Sequence, residues 1–265
     1  MLVEERRRKL MEYIRERGFV SLSELVEKLG CSESTVRRDL DYWDNLGVIK
    51  RTHGGAFYTQ NEAMPAFDER TATMLPEKRR IARYAASLIQ PGDTVLLDGG
   101  TTTFEVAKCL FGKRIHLVTN SLPVAQIFAA RPDVDLVLLG GYVFPRTGVA
   151  LGPLTVKMLQ DIHVHKAILS VGGLTAKGLF NSNLLLVETE RQMIRSADQV
   201  IIVADHSKIG RQAVAFLCDW SSVDLLITDD DLSGEQAELL SEVGVHFVLV
   251  GESGVFDSQA EEVGA

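Results

Sequence analysis

The sequence predicts an α/β chain in two parts. A small N-terminal unit of three helices and a short β-hairpin comes first, then a larger α/β domain on a mostly parallel sheet. Three observations predict it. Through residue 57, apolar positions recur at helical spacing in three segments separated by turn signals. Beyond residue 75, short runs of Val, Ile and Leu alternate with helical patterns, as strands buried on both faces require. The charge is divided as well. Through Phe57, 11 Lys and Arg face 10 Asp and Glu; the remainder carries 17 against 26, and no Lys or Arg follows Arg211. A chain of net charge −8 that concentrates its cations at one end points to two roles, and if DNA is bound, the first segment binds it.

In order, "EERRRKLMEYIRERG" carries Leu10, Met11 and Ile14 at helical spacing and stops at Gly18. "SLSELVEKLG" opens with Ser21 and Glu24 in a capping-box pattern, turns Leu22, Leu25, Val26 and Leu29 inward and ends at Gly30. "SESTVRRDLDYWDNLG" starts a third helix capped by Ser32, whose core face is Val36, Leu40 and Trp43. That phase leaves Ser34, Arg38 and Asp41 on the opposite face, flanked by Thr35 and Arg37. "VIKRTHGGAF" adds two short strands around a Gly-Gly turn. The order of these elements over residues 1–57 is that of a winged helix-turn-helix, whose third helix enters the major groove of DNA. Arg37 and Arg38 suit base edges or phosphates, Ser34 and Thr35 suit phosphates or a thymine methyl, and Lys50, Arg51 and His53 suit the flanking backbone.

Residues 58–75 are polar, contain Pro65, lack strong periodicity and read as a linker. The α/β domain is expected over 76–252. It opens with a helix at "PEKRRIARYAASLI" whose inner face is Ile81, Ala85 and Leu88. Seven strands are expected at "TVLLD", "IHLVTN", "VDLVLLGG", "KAILSV", "QVIIVAD", "VDLLITD" and "VHFVLVG", with intervening helices at 102–111, 121–130, 153–160, 185–196 and 234–242. Residues 253–265 read as a frayed tail.

Ligands of such sheets sit beyond the carboxyl ends of the strands. Four loops belong there: "DGGTTT", "TNS", "SVGGLT" and "ADHSKIGR". In the first, Gly99 and Gly100 allow close backbone approach, and Thr101, Thr102 and Thr103 open a helix whose dipole favours an anion. The stretch lacks the Gly-Lys-Ser/Thr of a nucleotide-binding P-loop and the spacing of a dinucleotide fingerprint. Lys208, with Arg211 near it, supplies positive charge, so a phosphate site is expected.

Taken together, "STVRRDL", "GVIKRTHGGA", "LDGGTTT", "VTNSL", "LLGGYV", "GPLT" and "ADHSKIG" resemble the DeoR family of bacterial transcriptional regulators, to about Asp229. The resemblance implies an effector domain similar in fold to ribose-5-phosphate isomerase, holding a phosphorylated sugar or polyol. By it, Asp98 to Thr103 would hold phosphate or nearby hydroxyls, with Asn120, Gly173, Glu188, Asp205 and Lys208 completing the site. The expected protein is a cytoplasmic repressor of a carbohydrate operon, relieved by its effector. It would act as a homodimer or homotetramer on a double-stranded operator, with no membrane partner, cofactor or metal.

An isomerase-like enzyme is the alternative, along with a constitutive DNA-binding protein whose pocket is empty. The enzyme needs a base and an acid at the sugar carbons. Where similar isomerases carry carboxylates in the loop matching "SVGGLT", this chain has Gly172 and Thr175, leaving Glu188 as the single match to the base. A sensor is therefore expected, argued from the site because fold alone does not supply function. Arg146 reads as a solvated arginine near the ligand loops. His163 and His165 fall on one face of a strand but have no acidic or cysteine ligand at useful spacing. Cys31, Cys109 and Cys218 share no metal or redox spacing, as expected of small core residues. No apolar run reaches the roughly 18 residues of a membrane span.

Overall fold

The structure, a computed structural model, describes residues 3–17, 19–45, 49–52, 54–58 and 67–259. The chain divides into two compact units, Met1–Met64 and Pro65–Ala265.

The first unit runs α1 (Val3–Arg17), β1 (Phe19–Ser21), α2 (Leu22–Leu29), α3 (Glu33–Asn45), β2 (Ile49–Arg51) and β3 (Gly55–Tyr58). Leu10, Ile14, Leu25, Val36, Leu40, Ile49 and Ala56 form its core. Ser21 and Glu24 close a reciprocal capping box on α2, and Gly30 ends that helix at φ 61°, a left-handed conformation that favours glycine. The strands form an antiparallel sheet in the order β1-β3-β2, so the expected hairpin gains a third strand, β1. Its three residues are too few to show alternation.

Among the described residues, one charged group is buried here. Asp39 is 2% exposed and accepts from Arg6 Nε at 2.6 Å and Arg7 Nε at 3.0 Å. A buried carboxylate must be paired, so these two arginines of the basic N-terminal run are committed to joining α1 to α3.

The second unit begins with α4 (Phe67–Ala72) and α5 (Leu75–Ser87). Then follow β4 (Thr94–Leu97), α6 (Thr101–Cys109), β5 (Ile115–Thr119), α7 (Leu122–Phe128), β6 (Val134–Leu138), β7 (Tyr142–Phe144), β8 (Val149–Leu151) and α8 (Pro153–Gln160). The chain continues through β9 (Val164–Leu169), β10 (Gly173–Thr175), β11 (Gly178–Asn181), α9 (Leu184–Arg195), β12 (Ala197–Val203) and β13 (Ala215–Cys218). It closes with β14 (Leu225–Asp229), α10 (Gly234–Val243), β15 (Phe247–Val250) and β16 (Val255–Asp257).

The seven expected strands pair in parallel within an eight-stranded sheet of order β16-β15-β14-β12-β9-β4-β5-β6. Apolar clusters cover both faces, one containing Leu96, Leu169 and Ile202, the other Val95, Ile168 and Ile201. Successive residues of one strand thus enter opposite cores, which is why these strands read as continuous apolar runs.

Two stretches differ from expectation. Residues 67–72, within the stretch read as linker, form a helix whose Phe67 meets Phe104 of α6 edge-on at 5.3 Å. One and a half turns are too short to show a helical repeat. Within the stretch read as tail, β16 pairs antiparallel with β15, and His246 Nε2 and Asp257 Oδ1 lie 2.7 Å apart. A further small sheet, β10-β11-β13, and the β7–β8 hairpin also escape the periodicity, being built from strands of three or four residues.

Candidate functional site

The order of the large sheet decides where its loops meet. From β4 the chain steps outward to β5 and β6, then returns to place β9 on the other side of β4 and continues away. The strand order therefore reverses between β4 and β9, and the loops after these two strands separate there into the crevice where open α/β sheets bind ligands. Those loops are "DGGTTT" and "SVGGLT". They are bonded to each other, since Asp98 N–H donates to Ile168 O at 3.1 Å, and Ser170 N–H and Oγ–H donate to Asp98 Oδ2 at 3.4 and 3.2 Å.

The glycines here serve packing. A Cβ on Gly99 would lie 1.8 Å from Val149 Cγ1, and one on Gly100 1.7 Å from Ser170 Oγ. Gly100 is the N-cap of α6 and supplies no side-chain cap, leaving the first amides of that helix without one. Thr103 is fully buried, and its hydroxyl lies 2.7 Å from Asp98 O and 2.8 Å from Gly100 O, so it fastens the loop to itself. The Thr101 and Thr102 hydroxyls have no side-chain partner among the described residues. Asn120 is 1% exposed; its Nδ2 donates to Ala150 O at 2.9 Å while its Oδ1 is buried without a partner.

The fourth loop is built around a short 3-10 turn, His206–Lys208. Asp205 is buried and caps it, accepting from Ser207 N–H at 3.2 Å and from the Ser207 hydroxyl. His206 is anchored behind the turn on buried Asp229, with Nδ1 2.6 Å from Oδ2 and its N–H donating to Oδ1 at 2.9 Å. Gly173 lets this loop pass close by, since a Cβ there would lie 2.1 Å from Arg211 O. Gly210 N–H also donates to Leu174 O at 2.8 Å. Lys208 is presented on this scaffold half-buried, and burial lowers its pKa, offset in part by the Asp205 carboxylate.

Two more cations belong to the same neighbourhood and escape the sequence reading. Lys78 is 4% exposed and donates from Nζ to Arg70 O and Thr73 O, each at 2.6 Å. Burial lowers its pKa, and the charges of Asp205, Lys208 and Arg70 all act on it. Arg70 stands on α4, with Nε and Nη2 buried and without a hydrogen-bond partner. Burial lowers its pKa too, and the Asp98 charge opposes that shift. For Lys78 a signal exists, because it sits three positions before Ile81 on the inner face of its helix. For Arg70 the sequence offers none.

The two glutamates of α9 divide by face. Glu188 is exposed on α9, whereas Glu190 is 2% exposed, inside with Leu186, Val187 and Met193. Residues two apart on a helix point to nearly opposite sides. Asn181 Nδ2 donates to Glu190 Oε1 at 2.6 Å, and Oε2 has no partner. Burial pushes the Glu190 carboxyl well above the usual carboxylate range, and the Asp98 charge pushes the same way. Arg146 and Arg211 are exposed. His163 lies 2.8 Å from Asp198, while His165 Nδ1 accepts from Thr94 N–H, so the two histidines turn to different partners. Among the described residues, one His/Asp group has atoms close enough for a metal: His206, Asp229 and Asp231. The Asp231 carboxylate already accepts from Arg80 at 3.0 Å.

In the first unit, Ser34 and Arg38 are exposed on α3, and Arg38 has no partner among the described residues. Thr35 is half-buried, its hydroxyl 2.9 Å from Ser32 Oγ. Arg37 is bound along the helix by Glu33, Nη2 to Oε1 at 2.6 Å. Arg51 pairs with Asp41 across to β2, and its N–H donates to Asp44 Oδ1 at 3.3 Å. Lys50 lies in β2, but its side chain and the whole of His53 fall outside the described residues.

A helix-turn-helix unit with an unpaired arginine on its third helix, joined to an α/β unit gathering cations at its switch point, defines a ligand-responsive DNA-binding protein. The DeoR-like helix-turn-helix domain matches residues 6–62, and the DeoR C terminal sensor domain matches 74–230. The chain belongs to the DeoR family of transcriptional regulators. It is 32% identical to the uncharacterized HTH-type transcriptional regulator YulB of Bacillus subtilis (strain 168), over 94% of this chain and 98% of that one. It is 34% identical to the glycerol-3-phosphate regulon repressor of Escherichia coli (strain K12), over 85% of this chain and 90% of that one. Among solved structures, ribose 5-phosphate isomerase A from Neisseria gonorrhoeae aligns with a TM-score of 0.40 at 12% identity, covering 68% of this chain and 94% of that one. No helix among the described residues is long and apolar enough to cross a membrane.

Proposed function

We propose that the protein represses an operon for carbohydrate use and leaves its operator when a phosphorylated sugar or polyol binds the second unit. The observation that carries this reading is the meeting of Arg70, Lys78 and Lys208 within reach of one another's charge, in the part of the chain where acidic residues outnumber basic ones by 26 to 17. Arg70 also acts on Asp98, at the head of the glycine-threonine loop. Cations concentrated at one crevice of an acidic domain, beside uncapped helix amides, fit a small phosphate ester and repel a polyanion. The relative named as a glycerol-3-phosphate regulon repressor supports the same direction.

In this reading the site senses its ligand and does not transform it. The two carboxyls near each other, Asp98 and Glu190, would be the acid and base of an isomerase, but they are 4% and 2% exposed. Burial on this scale sets both carboxyls back from solvent, whereas general acid–base catalysis requires hydrogen-bond reach to the transferred proton.

The test is fluorescence anisotropy of a duplex from the protein's own upstream region, titrated with and without a panel of sugar phosphates and the matching free sugars. Release by one phosphate ester, with no turnover of it, is the expected result. Arg38→Ala should weaken operator binding by about 1 kcal/mol or more and reduce the salt slope by about 1, leaving ester binding unchanged. Lys208→Ala should do the reverse. Tight operator binding that no ester alters, or isomerisation of any ester, overturns the reading.

A further inference from the structure

The three cations of the site differ in what already holds them. Lys78 spends its ammonium on the carbonyls of Arg70 and Thr73, closing the end of α4 against α5. Lys208 rides on a turn capped by Asp205 and anchored by His206 on Asp229. Arg70 is different. Its Nε and Nη2 are buried with no acceptor, although its charge acts on Asp98, Lys78 and Lys208. Buried donors in natural proteins are nearly always paired, and one left open calls for an explanation. A guanidinium presents a planar fork matched to two oxygens of a phosphate, which a lysine cannot imitate.

The element carrying Arg70 has its own peculiarity. α4 is held to the sensor unit by Phe67 against Phe104 and by Lys78 at its other end. Between α4 and α5 the chain turns through Met74 at φ 53°, the one non-glycine residue with positive φ among those described. A bulky side chain in the left-handed region is strained, and this strain sits at the junction of two helices. In the sequence, α4 is also the first described element after β3 of the DNA-binding unit.

We propose that Arg70 closes the effector site by taking the ligand's phosphate as its missing partner beside Lys208, and that α4, turning at Met74, carries the news of binding toward the DNA-binding unit. This rests on the sugar-phosphate reading above and adds to it a residue and a route. A ligand that engages Arg70 biases the position of α4, and linkage then requires operator binding to weaken ligand binding by the same factor.

The experiment uses the full chain and inorganic phosphate as the probe, at constant ionic strength adjusted with chloride. Phosphate should raise the melting temperature of the wild type. In Arg70→Lys and Arg70→Gln the half-effect concentration should rise about tenfold or more, because the fork is lost in both. Hydrogen exchange of the wild type, which needs no variant to fold, should show residues 67–75 slowed by phosphate. Equal phosphate response in wild type and both variants, or unchanged exchange over 67–75, overturns the role of Arg70 and α4 while the sugar-phosphate reading stands. A wild type that ignores phosphate in both measurements overturns that reading together with this one.

Discussion

At the scale of single residues, the least comfortable group in the second unit is Glu190. Its Oε1 accepts one hydrogen bond from Asn181, its Oε2 accepts none, and the Asp98 carboxyl acts on it. Burial and then Asp98 raise its pKa well above the ordinary value of 4.5. Between 4.5 and the raised value the folded chain holds a proton that the unfolded chain has released, so stability falls as pH rises through that window and is fully present below it. Glu190→Gln mimics the protonated form and keeps the acceptor for Asn181. The variant should match the wild type near pH 5 and exceed it near pH 8.5 by about 1 kcal/mol or more, since one pKa unit is worth about 1.4 kcal/mol. Urea midpoints at the two pH values check this, and an equal effect at both would show that the charge is not the source of the instability.

At the scale of elements, the β4–α6 connection is a close fit between loops from different parts of the chain. Gly99 lies where a Cβ would overlap Val149 of β8, so the β7–β8 hairpin closes over the loop. Gly99→Ala should cost about 1–3 kcal/mol, the usual penalty for overpacking. Val149→Ala removes the overlapping methyl, so the double variant should recover part of what Gly99→Ala alone loses. A denaturant double-mutant cycle measures this coupling, and strict additivity would place the cost elsewhere.

The same elements show what was legible beforehand. The seven strands and the three N-terminal helices announced themselves through apolar periodicity. The site loops did so because glycines and hydroxyls follow strands that end at one edge. The burial of Glu190 was also readable, since Leu186, Val187 and Met193 mark the inner face of its helix. Arg70 was not. Its helix is six residues long, and its position depends on the aromatic contact of Phe67 with Phe104, 37 positions further along the chain, which no local pattern encodes.

At the scale of the whole molecule, two helix-turn-helix units bound together hold an operator more tightly than one. The surface we propose for joining two copies is the edge of the large sheet that is unpaired among the described residues. β6 is the last strand on its side, and Val137 and Leu138 are 45% and 40% exposed. Thr155 donates to Gly140 O at 2.7 Å, which brings α8 beside the end of that strand and continues the apolar surface through Leu154 and Met158, both exposed. Long apolar edges invite pairing unless charge blocks it, and contiguous exposed apolar residues mark interaction sites. Val137→Lys combined with Leu154→Glu should therefore lower the molar mass measured by light scattering to that of a single 29.2 kDa chain. Operator affinity should fall with it, because two weakly held half-sites lose the gain of being bound together. Effector binding should survive, since Val137 and Leu154 lie in β6 and α8 and belong to neither loop of the β4–β9 switch point. An unchanged mass would move the interface elsewhere on the surface. A lowered mass with undiminished operator affinity would mean that one copy is enough to hold the operator.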